Sequence, residues 1–519
     1  MINLNAQTNI DLRSFVPFSD HANDIWGYVD SAGREYALVG LTKSTEIVDI
    51  TDPDNPVKLH SIAGPTSTWR DIKTWSHYAY VTNETADGLL IIDLAGLPAT
   101  INHKYVNFNA AVATAHNVFV DEMGFAYLLG YNDSLRSIPT DQRGAYILDL
   151  RSDPWNPTYA GKYAAGYVHD AYVRGDTLWA AQIYAGNFAV VDVKVKASPT
   201  VLALQETPSR FTHNSWLSND GKYIVNSDEV SGGYLSFYSV GDIENITETD
   251  RFQSSPGAGV IPHNAFFLGD YVWISYYKDG VVLVDATKKN NIIEVGNYDT
   301  SPFIASDGFN GCWGVYPFFP SGTVVASDIE EGLFVLTPTY QRASYLEGKV
   351  TNSTSGANLG SVKIDLLGTD NFSISNYGGE YYTGAGQPGL YDVRFTRQGC
   401  STQIFTNVSL TSGQTTVVNA ALQCNSLTGI NDASLPQPYF TAQPSVFDGH
   451  TSLSFFTGEE GLSKSTLSVY DLNGGKVNEW AFETATGEVV IGDNLATGVY
   501  MVTLNNATFT RNIKILKNR

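Results

Sequence analysis

One pattern recurs through residues 10 to 341 and limits what this chain can fold into. It opens on His-Asn, meets an aromatic residue two or three positions later, turns tightly, and ends in a β-run closed by polar and acidic residues. The clearest copy is THNSWLSNDGKYIVNSDE, from Thr212 to Glu229. Close copies begin at Ala115, Val168 and Pro262, and looser ones at Asn23, Arg70 and Cys312. A second signature follows, a β-branched run closing on aspartate: EIVDI from Glu46, LLIIDL from Leu89, AYILDL from Ala145, FAVVDV from Phe188 and VVLVDA from Val281. The equivalent positions Asn23, Arg70, His116, His169, His213, His263 and Cys312 lie about 44 to 53 residues apart. A period of that length, filled by four short strands, is the mark of propeller blades, and seven copies predict seven blades.

A chain of 519 residues is too long for one ordinary core. Strand-forming Val, Ile, Tyr, Phe and Thr predominate, and Gly and Asn punctuate the turns. No apolar run has the length needed to span a membrane. A formal charge of −22 excludes nucleic acid bound through its phosphates.

In the third repeat HNVFV (His116 to Val120) is expected as the inner strand, with AYLLGY, AYILDL and TYAGKYAA following outward. The His-Asn pair then falls where the chain returns from the rim of one blade to the axis of the next. One face should therefore carry His116, Asn117, His169, Asp170, His213, Asn214, His263, Asn264 and Asp71, with acidic strand ends such as Glu84, Asp228, Glu229, Asp279 and Asp328 beside them. These residues are the candidate ligand-binding set. Two readings stand side by side. Neutral imidazoles with carboxylates suit a transition metal, for which His169, His213, His263 and Asp228 are the candidate ligands, while carboxylates with amides suit calcium. Alternatively each pair locks a loop to its own blade by hydrogen bonds. The aromatics Trp26, Phe119, Tyr172, Trp216 and Phe266 read as inter-blade core, while Trp69, Trp75, Trp155 and Trp313 are irregular enough to line a sugar site.

Residues 342–424 change character. LEGKV at the start, a Gly-rich stretch from Gly379 to Gly384 and the GLYDVRF strand from Gly389 resemble the carboxypeptidase-regulatory-like, transthyretin-type module, a spacing domain without catalytic residues. Cys400 and Cys424 are its disulfide candidates. A polar, Pro-containing linker is expected over 425–445. Residues 446–519 carry Val469-Tyr470-Asp471, Gly474, Gly498-Val499-Tyr500 and a basic end with Lys514 and Lys517. They resemble the type A C-terminal sorting domain of type IX secretion substrates in Bacteroidetes-type bacteria. That resemblance implies passage to the cell surface through the type IX translocon, an outer-membrane shuttle protein and a sortase, then release or attachment to lipopolysaccharide. Asn5-Ala6-Gln7 resembles the end of a secretory signal peptide, so residues 1–9 read as its remnant or as a disordered terminus.

Repeats and tail together resemble the choice-of-anchor B family, whose propeller carries LVIVD-type repeats and whose biochemical role is undefined. The expected fold is all-β: a seven-bladed β-propeller followed by two small β-sandwich (Ig/transthyretin-like) domains. The expected function is a secreted or cell-surface binding protein for a glycan, a protein or a divalent metal. An extracellular metal-dependent hydrolase or lyase, or an architectural adhesin, are the other classes. No catalytic residue is assigned: no Gly-x-Ser-x-Gly elbow or P-loop is present, and Cys312 has no histidine partner in sequence.

Overall fold

The computed structural model describes residues 7–302, 308–424, 439–443, 446–447, 449–456, 465–471, 475–482, 486–492, 495–505 and 510–518. Among them there is no α-helix, only a single 3-10 turn at Thr140–Gln142. The chain is all-β and is built largely from four-stranded sheets, consistent with a propeller followed by a β-sandwich.

Residues 10 to 338 form seven of these sheets among the described residues. Six use four strands consecutive in sequence; the third, for example, runs Asn117–Val120, Phe125–Leu129, Ala145–Asp149, Thr158–Tyr163. Its first turn is set by Asp121, which accepts the N–H groups of Met123 (3.0 Å) and Phe125 (2.8 Å). Gly124 there has φ +84°, and a Cβ would meet the Trp75 ring at 2.8 Å, so no other residue fits without strain.

The β-branched run is the third strand of each sheet and is buried almost throughout, which is why it lacks alternation. Its closing aspartate ends the strand. Asp49, Asp93, Asp149, Asp192 and Asp285 each accept, at 2.8–3.0 Å, the backbone N–H two residues onward. Opposite this end a bulge shifts the register of the fourth strand, between Ile47/Val48, Ile147/Leu148, Val190/Val191, Phe237/Tyr238 and Leu283/Val284. The outer strands are the polar ones.

Neighbouring sheets share cores in sequence order. Tyr36 and Ile47 of the first pack with Ile72 and Ile92 of the second, and Ile91 of the second with Val118 and Leu148 of the third. The series ends with the seventh sheet against the first, through Tyr316, Val325 and Val335 with Ile25, Val39 and Val48. The fourth strand of the seventh sheet comes from the start of the chain: Ile10–Pro17 pairs with Gly332–Pro338. Thr8 bridges Asn297, and the Asn9 amide donates to the Val295 carbonyl at 2.6 Å, so these two residues belong to the folded body.

Residues 344–424 form two sheets around Leu346, Val350, Ile364, Tyr381 and Phe395, closed by the Cys400–Cys424 disulfide. This sandwich rests on the sixth sheet. The Asn291 amide donates to the Thr383 carbonyl at 3.0 Å, and Lys288 pairs with Glu347 at 2.5 Å.

Residues 425–519 are a separate compact unit. Its described strands form a three-stranded and a five-stranded sheet around Leu453, Phe455, Leu467, Val469, Val502 and Leu504. Tyr439–Gln443, inside the segment expected as linker, is a strand paired with Thr451–Phe456; residues 425–438 of that linker lie outside the described residues. Tyr500 is buried and its hydroxyl donates to the Ala496 carbonyl at 2.8 Å. Tyr470 is half-buried, Asp471 accepts the Gly475 N–H at 2.8 Å, Gly498 opens a strand, Lys514 is exposed, and Lys517 is buried against the Gly492 carbonyl. Gly474 lies outside the described residues.

Candidate functional site

The repeated His-Asn position precedes or opens the first strand of each sheet, and the four histidines at that position lie side by side. With the tryptophans that flank Arg70 and Cys312 their rings form a continuous series: Trp69, His116, His169, His213, His263, Trp313. The imidazole centroids are 3.9 Å (His116–His169), 4.5 Å (His169–His213) and 4.4 Å (His213–His263) apart. Trp69 lies 6.3 Å from His116 and Trp313 5.0 Å from His263, which places two of the irregular tryptophans at the ends of the histidine series. Trp155 instead lies tilted against Tyr78, ring centroids 5.9 Å apart, and Trp75 packs on the core between the second and third sheets.

Residues at the next position do different work. Asp24 accepts the Ile72 N–H (3.1 Å), and Asp71 accepts the Val118 N–H (3.2 Å) and the Asn117 amide (3.0 Å). Asp170 accepts the Asn214 amide (2.6 Å), whose own carbonyl accepts the Ala265 N–H (3.1 Å). Each bond fastens one sheet to the next, so the structure places Asp71, Asn117, Asp170 and Asn214 in a belt between sheets. Asn264 lies beside them and is buried. Lys73 completes this layer, 2.9 Å from Asp71 and 3.8 Å from Asp24, with its ammonium 4.2 Å from the centre of the Trp26 ring. Burial first, then Asp71, pushes the Asp24 carboxyl well above the usual range. Beneath, Trp26, Phe119, Tyr172, Trp216, Phe266 and Phe318 from six sheets fill the space against one another, as inter-sheet core.

Of the acidic strand ends among the described residues, Glu84 and Glu229 reach the imidazoles. Glu84 accepts from His116 Nδ1 at 2.7 Å; burial pushes its carboxyl up, but this bond and the His116 charge outweigh it and hold the carboxyl below its usual range. Glu229 Oε2 lies 3.6 Å from His213 Nε2, and its Oε1 3.8 Å from His263 Nε2. The Tyr277 hydroxyl donates to Glu229 Oε1 at 2.7 Å. Burial pushes the Glu229 carboxyl up to about 7. Burial likewise holds His169 and His213 well below the usual imidazole range and His263 down to about 3, so all three rings are neutral near neutrality.

Asp228, a candidate metal ligand by sequence, faces the other way. Its carboxylate accepts the N–H groups of Ser209 (2.7 Å) and Phe211 (3.0 Å) and the Thr207 hydroxyl, closing the loop before the fifth sheet. Asp328 caps Thr300 and Ser301 in the same manner, and Asp279 accepts from Ser254. Glu229 is the residue that sequence reasoning passed over as a ligand. Cys312 is buried, its thiol pushed up by burial, with Sγ 3.6 Å from the Gly314 carbonyl.

A cavity of about 20 Å³ lies within this arrangement, lined by Trp69, Asp71, His116, His213, His263 and Trp313 among others. Such a volume holds one water-sized particle and excludes a sugar ring. His169, His213 and Glu229 bring one ligand atom each to within 4.8 Å of one another, and His263 stands beside them.

No curated protein matches the chain. By family models, residues 266–300 are an LVIVD repeat and residues 345–423 a carboxypeptidase regulatory-like domain.

Proposed function

We propose that this chain is an exported, surface-displayed binding protein built on a closed seven-bladed β-propeller over 10–341. The second domain serves as a spacer, and residues 446–519 serve as a type A sorting domain for type IX secretion. Closure of the propeller is supported by the run of shared cores that returns from the seventh sheet to the first, and by the pairing of Ile10–Pro17 with Gly332–Pro338. The export reading rests on the residues around Tyr470, Gly498 and Lys514 and on a β-fold for this segment with Val469 and Tyr500 in its core. In that reading the translocon, a shuttle protein and a sortase are its partners, and lipopolysaccharide or the medium its destination.

One observation carries the binding function: a series of four histidine rings side by side, with the buried Glu229 against two of them and a cavity of about 20 Å³ lined by His116, His213 and His263. A sugar ring does not fit this volume, and of glycan, protein and metal the clustered imidazoles and carboxylate suit the last best. Export is tested by expressing the full chain and a version ending at residue 445 in a bacterium with a type IX apparatus. Surface or culture-medium recovery of the full chain alone is expected; equal export of both versions overturns the sorting assignment.

A further inference from the structure

The geometry points to a mononuclear transition-metal site of the zinc class, held by His169, His213 and Glu229, with His263 as the adjacent fourth donor. It deepens the binding reading above but is independent of export, since it concerns the isolated protein.

Four features of these residues suit a metal better than they suit packing alone. The donor atoms are already close: Glu229 Oε2 to His213 Nε2 is 3.6 Å and Glu229 Oε1 to His263 Nε2 is 3.8 Å. Ligands of a tetrahedral ion at about 2.0–2.1 Å stand about 3.4 Å apart, so the Glu229 pairs with His213 and His263 need shifts of only a few tenths of an ångström, and His169 brings its donor within the 4.8 Å that spans His169, His213 and Glu229. The tautomers are set as well. His263 Nδ1–H donates to the Trp313 carbonyl, which leaves the lone pair on Nε2, the nitrogen facing Glu229. Tyr277, donating to Glu229, orients the carboxylate in the way outer hydrogen bonds orient ligating carboxylates.

The third feature is an unfilled demand. The Nδ1 atoms of His169 and His213 are buried and meet no hydrogen-bond partner among the described residues. Buried ring nitrogens are ordinarily satisfied, so His169 Nδ1 is open to an occupant, while His213 turns Nε2 and not Nδ1 toward Glu229. The fourth is the donor set itself. Imidazoles with a single carboxylate match zinc and its neighbours, whereas calcium takes six to eight oxygens, which this site does not offer. Packing alone accounts for the series of rings but leaves His169 Nδ1 and the convergence on Glu229 without a reason.

The test uses the full chain, stripped with a chelator, dialysed, and titrated with Zn²⁺ by calorimetry and with Co²⁺ by visible absorption. Binding of one Zn²⁺ per chain is expected, together with Co²⁺ bands of a four-coordinate nitrogen–oxygen site and a raised melting temperature. Glu229→Gln, nearly isosteric, and His213→Ala should each weaken Zn²⁺ by about tenfold or more. His103→Ala, an exposed histidine on the outer strand Asn102–Val106, should leave affinity unchanged. Glu229→Gln keeps the test decisive if His213→Ala fails to fold. Absence of Zn²⁺ binding by the stripped chain, or affinity retained in Glu229→Gln, overturns the site, as does stoichiometric Ca²⁺ that Zn²⁺ fails to displace.

Discussion

Asn214 joins three sheets through one side chain: its amide donates to Asp170 at 2.6 Å and its carbonyl accepts the Ala265 N–H at 3.1 Å. All these groups are buried. Asn214→Ala leaves both a carboxylate and an N–H without their partner, each worth about 1–3 kcal/mol. The variant should lose about 3 kcal/mol of stability, read as a lower urea midpoint. A loss below about 1 kcal/mol would mean that water replaces the amide and that the belt does not hold the sheets together.

That bond also shows why the His-Asn pair was only half legible. Its recurrence marks a position that every sheet repeats, and the strands fall where the periodicity puts them; the third sheet follows the expected order strand for strand. The pair nevertheless contains two roles, since the Asn or Asp member fastens sheets while the imidazoles stack and keep lone pairs free. Repetition carries no sign of that division. The exchange of Asp228 for Glu229 has a local cause: a register shift between Thr212 and Asn214 disturbs alternation at this strand end, so counting by twos does not tell which carboxylate faces the histidines. The first strand was hidden for a different reason. IDLRSFVP reads as an amphipathic strand, but nothing in it names a partner at Gly332–Pro338.

Glu294 provides a pH prediction away from the histidines. It is half-buried on the outer strand of the sixth sheet, facing the sandwich, and burial first, then Asp279, raises its carboxyl from 4.5 to about 8. A raised folded pKa contributes stability that is fully present below about 4.5 and is lost as pH rises through about 8. The melting-temperature difference between Glu294→Gln and the parent should therefore move in favour of the variant between pH 5 and pH 9. A difference that stays flat across that range would show that Glu294 is ionised in the folded protein.

The Cys400–Cys424 bridge closes a loop of 24 residues in a small sandwich, and loops of that size confer about 3 kcal/mol by restricting the unfolded chain. Reduction, or the double change Cys400→Ala and Cys424→Ala, should lower the calorimetric melting of this domain, and the double variant should no longer respond to reductant. Unchanged melting in the variant would place the domain's stability in its core and its seat on the sixth sheet.

Lys73 is the cation of the inter-sheet belt, 2.9 Å from Asp71, 3.8 Å from Asp24, and donating to the Ile72 carbonyl at 3.1 Å. Burial pulls its pKa down, but Asp71 and Asp24 outweigh burial and hold the ammonium charged. Lys73→Met keeps most of the volume over Trp26 and leaves two buried carboxylates without their cation. Breaking a buried pair in this way costs about 3–5 kcal/mol, far more than a surface pair would. The loss should shrink on acidification, because the Asp24 carboxyl is already pushed well up and takes a proton readily once the ammonium is gone. Adding Asp71→Asn to Lys73→Met should restore part of the stability by removing one of the two charges. If the double variant is less stable than Lys73→Met alone, the Asp71 bonds to Val118 and Asn117 outweigh the charge, and the belt is held by its hydrogen bonds more than by its ion pair.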